Sequence, residues 1–252
     1  KAYASRHCVE TLQACREALG GEGYDARNRF GRLLADTDVF TTFEGANVVL
    51  LQLVARGLLS EYGEQMGDLK LWDVVGYIAE RAATRVTEMN PVVTRRTDAE
   101  HLRDPDFHRA AFEYREERLL GSVARRLKGL IDDGTDSFDA MIACQDHLVA
   151  LARAHVERTV LEAFHDGVKR APTPGLSETL RALAGLWALE RLEADRAWFL
   201  ESGYVDDGKS RAIRSQVNAL CGEVAEEAVF LVDGFGIPDE ILRAPAGTRG
   251  EG

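Results

Sequence analysis

Three features of this 252-residue sequence predict an all-α fold. Apolar residues recur at steps of three and four, the period of a helix with one buried face, as in the series Cys8, Leu12, Cys15 and Leu19. The sequence has no sustained alternation of apolar and polar residues, which would be typical of strands. Glycine and proline stand where the helical repeats stop, for example at Gly20.

Eight helices follow from these repeats and stops, each placed to within a few residues. They are predicted at residues 2–19, 25–36, 45–63, 68–89, 105–131, 137–169, 176–201 and 209–233. The sequence contains no internal repeat with a period of about 20 to 50 residues, so a solenoid is not expected. Two packed helical bundles fit this pattern better.

The first four helices are separated by short breaks. The first ends at the pair Gly20-Gly21, since glycine readily takes the left-handed conformation that closes a helix. The stretch Val39–Phe43 is rich in β-forming residues, but it is short and leads directly into a helical pattern. We therefore interpret it as a connecting loop. Asn90-Pro91 closes the fourth helix.

The last four helices have recognisable starts and stops. Asp136 or Ser137 is predicted to cap the sixth helix, because a side-chain oxygen can accept a hydrogen bond from an unpaired N–H group of the first turn. The segment Pro172–Gly175 separates the sixth helix from the seventh. Ser177 is the predicted cap of the seventh helix.

The sequence is acidic, with 31 Lys and Arg against 42 Asp and Glu, and its formal net charge is −11. Such a charge opposes nonspecific attraction to phosphate backbones and anionic lipid surfaces, so neither nucleic acid nor a membrane is an expected partner. The apolar run within Val48–Ala55 is far shorter than the roughly 20 residues that span a bilayer. Because the sequence starts at Lys1 rather than Met, we expect a fragment of a longer protein.

Neither the cysteines nor the histidines form a pattern typical of a metal site. The four cysteines are far apart in helical patterns, so we expect reduced thiols buried as small core residues. They are Cys8, Cys15, Cys144 and Cys221. No HExxH motif occurs among the six histidines, and no metal is expected. The absence of a GxSxG motif leaves a serine hydrolase without support.

The segment Gly20–Ala26 contains the GxGxxA pattern of a dinucleotide-binding turn. That mechanism requires a strand before the turn, whereas a helical repeat precedes this one, so we reject a Rossmann fold. Two explanations of the bare glycines remain open. A ligand or another chain approaches the backbone closely, or a helix ends in a left-handed residue.

Glu44 stands in an unusual place, between Phe43 and Gly45 and just before an apolar helix. A helix N-terminus stabilises a negative charge, so one explanation is a carboxylate that serves the helix start. The other is a base held by a loop beside apolar walls. The residues alone leave both explanations open.

Two segments stand out together: Leu12–Tyr24, with a GGxGY turn, and Thr42–Gln52, with an FEG tripeptide before an apolar helix. They resemble the acyl-CoA oxidases, which form one flavoprotein superfamily with the acyl-CoA dehydrogenases. The ending Phe235–Glu240 is similar to the tail of the oxidase branch. Between Asp68 and Asp233 the resemblance is mainly one of helical character and length.

This resemblance implies an FAD-dependent enzyme of fatty acid β-oxidation. Such an enzyme dehydrogenates fatty acyl-CoA to trans-2-enoyl-CoA, with molecular oxygen as the acceptor and hydrogen peroxide as the second product. Glu44 matches the catalytic base, which removes the α proton of the thioester while the β hydride passes to the flavin. A base of this kind must be tightly positioned and shielded from water, because the α proton is only weakly acidic.

The resemblance also implies positions for the cofactor. Gly20 and Gly21, with Glu17 one turn earlier, match positions that approach the FAD of the neighbouring subunit in a homodimer. Gly45 and Asn47 match positions that line the nucleotide part of the flavin.

The sequence departs from the family at individual residues and in its domain content. Ala46 stands where many dehydrogenases have Thr or Ser, and Glu22 stands where many oxidases have His or Lys. The N-terminal helical domain and the middle β domain of the full-length family members are missing. We therefore expect this chain alone to bind FAD poorly and to have no turnover.

The resemblance implies three segments. Residues 1–90 end a dehydrogenase-like helical bundle, residues 91–106 form a linker, and residues 107–252 form an oxidase-type C-terminal helical domain. Two alternatives remain: a dehydrogenase that passes electrons to an electron-transferring flavoprotein, and a catalytically silent helical dimerisation domain. The Arg-rich, Ala-rich and Lys-poor composition favours a cytoplasmic setting in a GC-rich bacterium, and a eukaryotic source would imply the peroxisome.

Overall fold

The computed structural model describes residues 1–64, 75, 78, 95–238, 240–242 and 244–247. Every regular element within these ranges is helical, which confirms the predicted all-α class. The predicted helix at 68–89 lies outside the described residues apart from Val75 and Ile78, which are helical and buried. Its predicted stop at Asn90-Pro91 lies outside them as well.

The α-helices are numbered here in chain order over the described residues. They are α1 (Ala2–Ala18), α2 (Phe30–Asp38), α3 (Asn47–Glu64), α4 (Ala99–Leu102), α5 (Pro105–Asp132), α6 (Ser137–Ala143), α7 (Gln145–Arg170), α8 (Pro174–Ala194), α9 (Arg196–Glu201), α10 (Asp207–Glu226) and α11 (Ala228–Asp233). Short 3-10 helices cover Gly20–Tyr24, Ala26–Asn28, Val39–Thr41 and Pro245–Gly247. No described helix is long and apolar enough to cross a membrane.

Three of the predicted long helices are each divided in two. The breaks fall at Cys144 between α6 and α7, at Asp195 between α8 and α9, and at Glu227 between α10 and α11. At Cys144 the backbone has φ −107° and ψ 7°, outside the helical region. The apolar period continues across all three positions without a glycine or proline, so the sequence did not indicate the breaks.

The second and third helices begin later than predicted. The predicted helix at 25–36 is a 3-10 turn followed by α2, and Arg29 between them is left-handed with φ 65°. The third helix begins at Asn47 rather than at residue 45. Val39–Phe43, predicted as a loop, contains a 3-10 turn in which the Phe43 N–H donates to the Val39 carbonyl at 2.9 Å.

One predicted cap is confirmed and one is wrong. The Asp136 side chain accepts a hydrogen bond from the Phe138 N–H at 2.9 Å at the start of α6. Ser177 does not cap α8, which begins three residues earlier with Thr173 as its cap and Pro174 in its first turn. Proline fits that turn because the N–H group it lacks would have no helical partner there.

Residues 55–228 form one compact unit, called unit 2. In unit 2, α8 packs against α7 and α10, and α5 packs along α7. The buried apolar core of these helices is large. Its members are Leu102, Phe107, Ala111, Phe112, Leu161, Ala188, Leu189, Leu192, Phe199, Val205, Ile213, Val217 and Leu220.

Residues 1–54 and 229–252 form the other compact unit, unit 1. Here α1 packs against α2, yet neither helix has a fully buried residue. Asn28 is buried, and its Nδ2 donates to the Glu22 carbonyl at 2.9 Å. Its Oδ1 accepts from the Ala246 N–H at 2.8 Å, which ties the C-terminal 3-10 helix to the glycine turn.

The described part of the predicted linker is partly helical. Asp98 caps α4 by accepting a hydrogen bond from the His101 N–H at 2.9 Å, and Leu102 is fully buried in the core of unit 2. The domain boundaries at residues 90 and 106 stay a prediction.

The prediction that the cysteines are buried is wrong for three of the four. Cys144 is buried, and its burial raises the pKa of the thiol. Cys8, Cys15 and Cys221 are free and exposed. For the first two, the reason is that α1 buries none of its residues.

Candidate functional site

Glu44 lies in a strained turn before α3. Its φ is 56° and that of Gly45 is 97°, so two successive residues are left-handed. A non-glycine residue in this region is uncommon and costs free energy, and such strain is concentrated at functional sites. The Glu44 side chain is exposed.

The Glu44 carboxylate has no hydrogen-bond or ion-pair partner among the described residues. It does not cap α3, because the N–H groups of Val49 and Leu50 donate to the Ala46 carbonyl at 2.9 and 3.1 Å. The explanation of Glu44 as a helix-start carboxylate therefore gains no support from hydrogen bonding.

Apolar side chains are exposed on both sides of Glu44 in the sequence. The rings of Phe40 and Phe43 meet edge to face with centroids 5.0 Å apart, and both rings are partly exposed. Val48 and Val49, in the first turn of α3, are about half exposed. Glu44 is thus flanked in the sequence by exposed apolar side chains.

A set of hydrogen bonds ties the start of α3 to the start of α1. The Asn47 Nδ2 donates to the Ala2 carbonyl at 3.0 Å and to the Ser5 Oγ at 2.9 Å. The Lys1 Nζ donates to the Asn47 Oδ1 at 3.0 Å and to the Gly45 carbonyl at 2.8 Å. We call these five residues the Asn47 latch. Their separation of more than 40 positions left no signal in the sequence.

The glycine turn after α1 shows which glycines this chain itself requires. Gly20 is left-handed with φ 56°, as expected of a residue that ends a helix. A Cβ on Gly23 would lie 2.1 Å from the Arg16 carbonyl oxygen, so a side chain is excluded there. A Cβ on Gly21 would meet nothing within 4 Å. The bare backbone at Gly21 is therefore open to a ligand or another chain.

The dinucleotide-turn interpretation was rightly rejected, because α1 precedes this turn. Glu17 is largely exposed near the end of α1, and its Oε1 accepts from Gln13 Nε2 at 2.5 Å. Sequence reasoning missed the contact of the Arg16 guanidinium with the Tyr24 ring, 4.5 Å from its centroid. Tyr24 is 79% exposed, so this ring lies on the surface beside the open turn.

The predicted site residues form two groups on unit 1. Glu17, Gly20 and Gly21 lie at the end of α1, whereas Gly45 and Asn47 lie beside its start. With a helical rise of 1.5 Å per residue, the groups are roughly 20 Å apart. They therefore form two separate candidate contact regions.

Unit 2 has buried ionisable groups that the sequence did not indicate. Lys209 is fully buried, with its Nζ 3.1 Å from His101 Nε2 and 4.1 Å from the centroid of the Phe107 ring. Burial lowers the pKa of Lys209 to about 8. Burial also lowers the pKa of His108 to about 4, and its Nε2 lies 2.7 Å from the Leu102 carbonyl oxygen, to which it donates.

Within the described residues, no group of three or more His, Cys, Asp or Glu side chains could hold a metal ion.

Comparison with known proteins connects both units to one family. The family model described as acyl-CoA oxidase matches residues 104–249, and that of the acyl-CoA oxidase C-alpha1 domain matches residues 1–59. The chain belongs to the acyl-CoA oxidase family. The resemblance seen in the GGxGY and FEG segments is thereby confirmed.

The peroxisomal acyl-coenzyme A oxidase 2 of Arabidopsis thaliana is 39% identical over 251 residues, which cover 100% of this chain and 36% of that protein. The chain thus spans about a third of the length of this relative. The structure of acyl-CoA oxidase 3 from Yarrowia lipolytica matches with a TM-score of 0.84 at 26% identity, covering 99% of this chain and 35% of the other.

A third comparison concerns the fold. The structure of acyl-CoA oxidase-1 of Caenorhabditis elegans, described as complexed with FAD and ATP, matches with a TM-score of 0.76. It is 21% identical and covers 96% of this chain and 35% of the other, so this likeness shows the fold alone. All three proteins are eukaryotic, and the expected bacterial setting finds no support among them.

Proposed function

We propose that this chain is the C-terminal part of an FAD-dependent acyl-CoA oxidase. The full-length enzyme converts fatty acyl-CoA to trans-2-enoyl-CoA in β-oxidation, and oxygen is reduced to hydrogen peroxide. The observation that carries the proposal is the left-handed, unpartnered Glu44 beside exposed apolar side chains at the start of α3. It lies within the segment matched by the C-alpha1 model.

Glu44 acts as the base in this proposal. Its carboxylate accepts the α proton of the thioester as the α C–H bond breaks, and the electron pair of that bond forms the new double bond to the β carbon. Bound FAD supplies the acceptor for the hydride that leaves the β carbon. The absence of a bound donor on the carboxylate suits this role, because no hydrogen bond has to be broken before the proton arrives.

The two contact regions on unit 1 divide the cofactor binding. Gly20 and Gly21 face open space, which fits close approach of the FAD of a neighbouring subunit in a homodimer, with Glu17 one turn away. Gly45 follows Glu44 directly and belongs to the flavin site of its own subunit, the site to which the resemblance assigns Asn47 as well. Asn47 uses both of its amide N–H groups within the chain, so it fits a direct flavin contact less well than Gly45.

We propose the same division of the chain into three segments as the resemblance implied. Residues 1–90 end the dehydrogenase-like bundle, and residues 107–252 form the oxidase-type domain after a linker at 91–106. For a eukaryotic source we propose the peroxisome, a compartment that the name of the Arabidopsis relative supports.

The test is stopped-flow absorbance at the flavin band of the full-length enzyme, mixed with a medium-chain acyl-CoA without oxygen and then with air. We expect bleaching and then rapid recovery with release of peroxide. Glu44→Gln should keep the bound FAD but slow the bleaching by about 10²- to 10⁴-fold, the range typical of a lost general base. Glu10→Gln, at an exposed position of α1, is the matched control and should bleach at the normal rate.

Each other outcome has a defined meaning. Slow recovery in air would assign the enzyme to the dehydrogenases, which pass electrons to a flavoprotein. Unchanged bleaching in Glu44→Gln would remove Glu44 from the reaction. If the flavin is not bleached by acyl-CoA of any chain length, a silent dimerisation domain would be favoured.

A further inference from the structure

The position of the Glu44 carboxylate depends on its backbone. Its side chain has no partner among the described residues, so only the turn that carries it fixes where the oxygens lie. On the N-terminal side, the Thr42 and Phe43 N–H groups both donate to the Val39 carbonyl, at 3.1 and 2.9 Å. On the C-terminal side, the turn is held at Gly45 and Asn47 by the Asn47 latch.

The Asn47 amide is fully occupied by these contacts. Its two N–H bonds are directed at the Ala2 carbonyl and at the Ser5 Oγ, and its oxygen accepts from the Lys1 Nζ. An asparagine offers two donors and one oxygen, so no donor remains for a cofactor. Asn47 and Ser5 are both only partly exposed, as expected of groups that serve the chain itself.

A left-handed glutamate persists only where its surroundings fix the backbone on both sides. The bonds at Gly45 and Asn47 come from the first turn of α1, which is more than 40 residues away in sequence. The start of α1 therefore restrains the strained turn from outside.

We propose that the Asn47 latch positions Glu44 for proton removal, and that Asn47 and Ser5 are positioning residues for the base rather than flavin contacts. The inference rests on the proposed function, because it requires Glu44 to be the base. Loosening the latch should let the turn relax and move the carboxylate away from the α proton. A displacement of about 1 Å in a catalytic group can cost about 100-fold in rate.

The experiment measures the rate constant of anaerobic flavin bleaching at saturating acyl-CoA, together with FAD content, in the full-length enzyme. Asn47→Asp keeps the size of the side chain but turns a carboxylate oxygen towards the Ala2 carbonyl. We expect normal FAD content, an unchanged acyl-CoA dissociation constant and a rate constant lowered about 10- to 100-fold. Ser5→Ala should give a smaller fall, and Ser5→Thr, which restores a hydroxyl, should recover the rate.

Asn218→Asp, at an exposed position of α10, is the control for the added charge and should bleach normally. If the thermal midpoint of Asn47→Asp is lower than that of the parent enzyme, the bleaching rates of Ser5→Ala and Ser5→Thr provide the test instead. The inference is overturned if FAD content falls while bleaching per bound flavin is unchanged, since Asn47 would then be a flavin contact. It is also overturned if neither latch variant alters the rate. Failure of the proposed function is distinct, because it appears as full activity in Glu44→Gln.

Discussion

Glycine serves different purposes at neighbouring positions of the turn after α1. Gly20 allows the left-handed backbone, and Gly23 allows the chain to pass against the carbonyl of Arg16. Gly21 is not left-handed, and a Cβ added to it would meet nothing within 4 Å. What a residue does for the fold can thus be separated from what it does for a ligand, one position at a time.

That separation predicts opposite results for two alanine substitutions. Gly23→Ala forces a Cβ against the Arg16 carbonyl and should destabilise unit 1 by about 1–3 kcal/mol, a typical cost of overpacking. Gly21→Ala should leave the thermal midpoint unchanged while lowering the FAD content of the full-length enzyme. Circular dichroism gives the midpoint and flavin absorbance gives the FAD content. Normal FAD content in Gly21→Ala would contradict a cofactor role for this position.

His108 should make unit 2 sensitive to acid. Burial lowers its pKa from 6.5 to about 4, so between these values the unfolded chain binds a proton that the folded chain does not. Stability is therefore unaffected by this group above pH 6.5 and falls as the pH drops towards 4. Between pH 7 and pH 5 the loss should be about 2 kcal/mol.

Urea unfolding followed by tryptophan fluorescence measures this loss, since all three tryptophans lie in residues 55–228. His108→Gln keeps an N–H donor for the Leu102 carbonyl but does not titrate, so its stability should vary less between pH 7 and pH 5. His7→Gln, at an exposed position of α1, is the control and should behave like the parent. An unaltered pH dependence in His108→Gln would place the acid sensitivity elsewhere.

At the scale of helices, unit 2 is joined by an ion cluster as well as by its apolar core. Arg115 of α5 is buried and forms ion pairs with Glu157 of α7 and with Asp195, the residue between α8 and α9. Its Nε is buried and has no hydrogen-bond partner in the described part of the chain, and its guanidinium lies 5.1 Å from the centroid of the Phe112 ring. One side chain thus connects α5, α7 and the junction between α8 and α9.

Removing Arg115 should destabilise the bundle strongly. Arg115→Met leaves the Glu157 carboxylate buried without its cation, and a loss of about 3–5 kcal/mol is typical of a broken buried pair. Arg115→Met combined with Glu157→Met should recover much of it. Arg211→Met breaks only an exposed pair with Asp207 and should cost no more than about 0.5 kcal/mol. Equal losses in the two single variants, by urea unfolding, would contradict a structural role for the cluster.

Helical periodicity is sufficient to predict the helices but not where they are interrupted. The long helices within the described residues were placed to within a few residues, because apolar spacing reflects burial on one face. The interruptions at Cys144, Asp195 and Glu227 were missed because each is a single non-helical residue in an unbroken apolar pattern. At one of these positions, Asp195 forms an ion pair with Arg115, 80 positions away in the sequence.

The candidate site shows the same limit. The FEG and GGxGY segments made Glu44 and the glycine turn candidates through their resemblance to the acyl-CoA oxidases, whereas the residues alone left the role of each open. The partners of Asn47 were not predictable, because hydrogen bonds between the starts of two helices leave no local pattern. The left-handed backbone of Glu44 was not predictable either, since glutamate rarely adopts it.

At the scale of the whole molecule, burial is unevenly distributed. Unit 2 has a continuous apolar core, whereas α1 and α2 of unit 1 bury no residue completely. Exposed apolar side chains also follow α10, including Phe230 and Phe235. Regions with few buried contacts open locally at a small free-energy cost.

Amide hydrogen exchange of the isolated chain should therefore distinguish the two units. We expect the amides of α1 and α2 to exchange at least about tenfold faster than those of α8, after correction for intrinsic rates. In the full-length enzyme the same amides should be more protected, because the remaining domains would cover them. Protection of α1 equal to that of α8 in the isolated chain would contradict this expectation.

The bond between Asn28 and Ala246 has a consequence for the order in which the molecule is assembled. It joins positions 218 residues apart, so Asn28 gains this partner only after all of unit 2 has been synthesised. Contacts of such long range form late, because the entropy of closing the loop is lost before the contact is gained. The helices of unit 2 lie inside that loop and shorten it when they fold. We expect unit 2 to fold first during synthesis, and the glycine turn that carries Gly21 to be completed last.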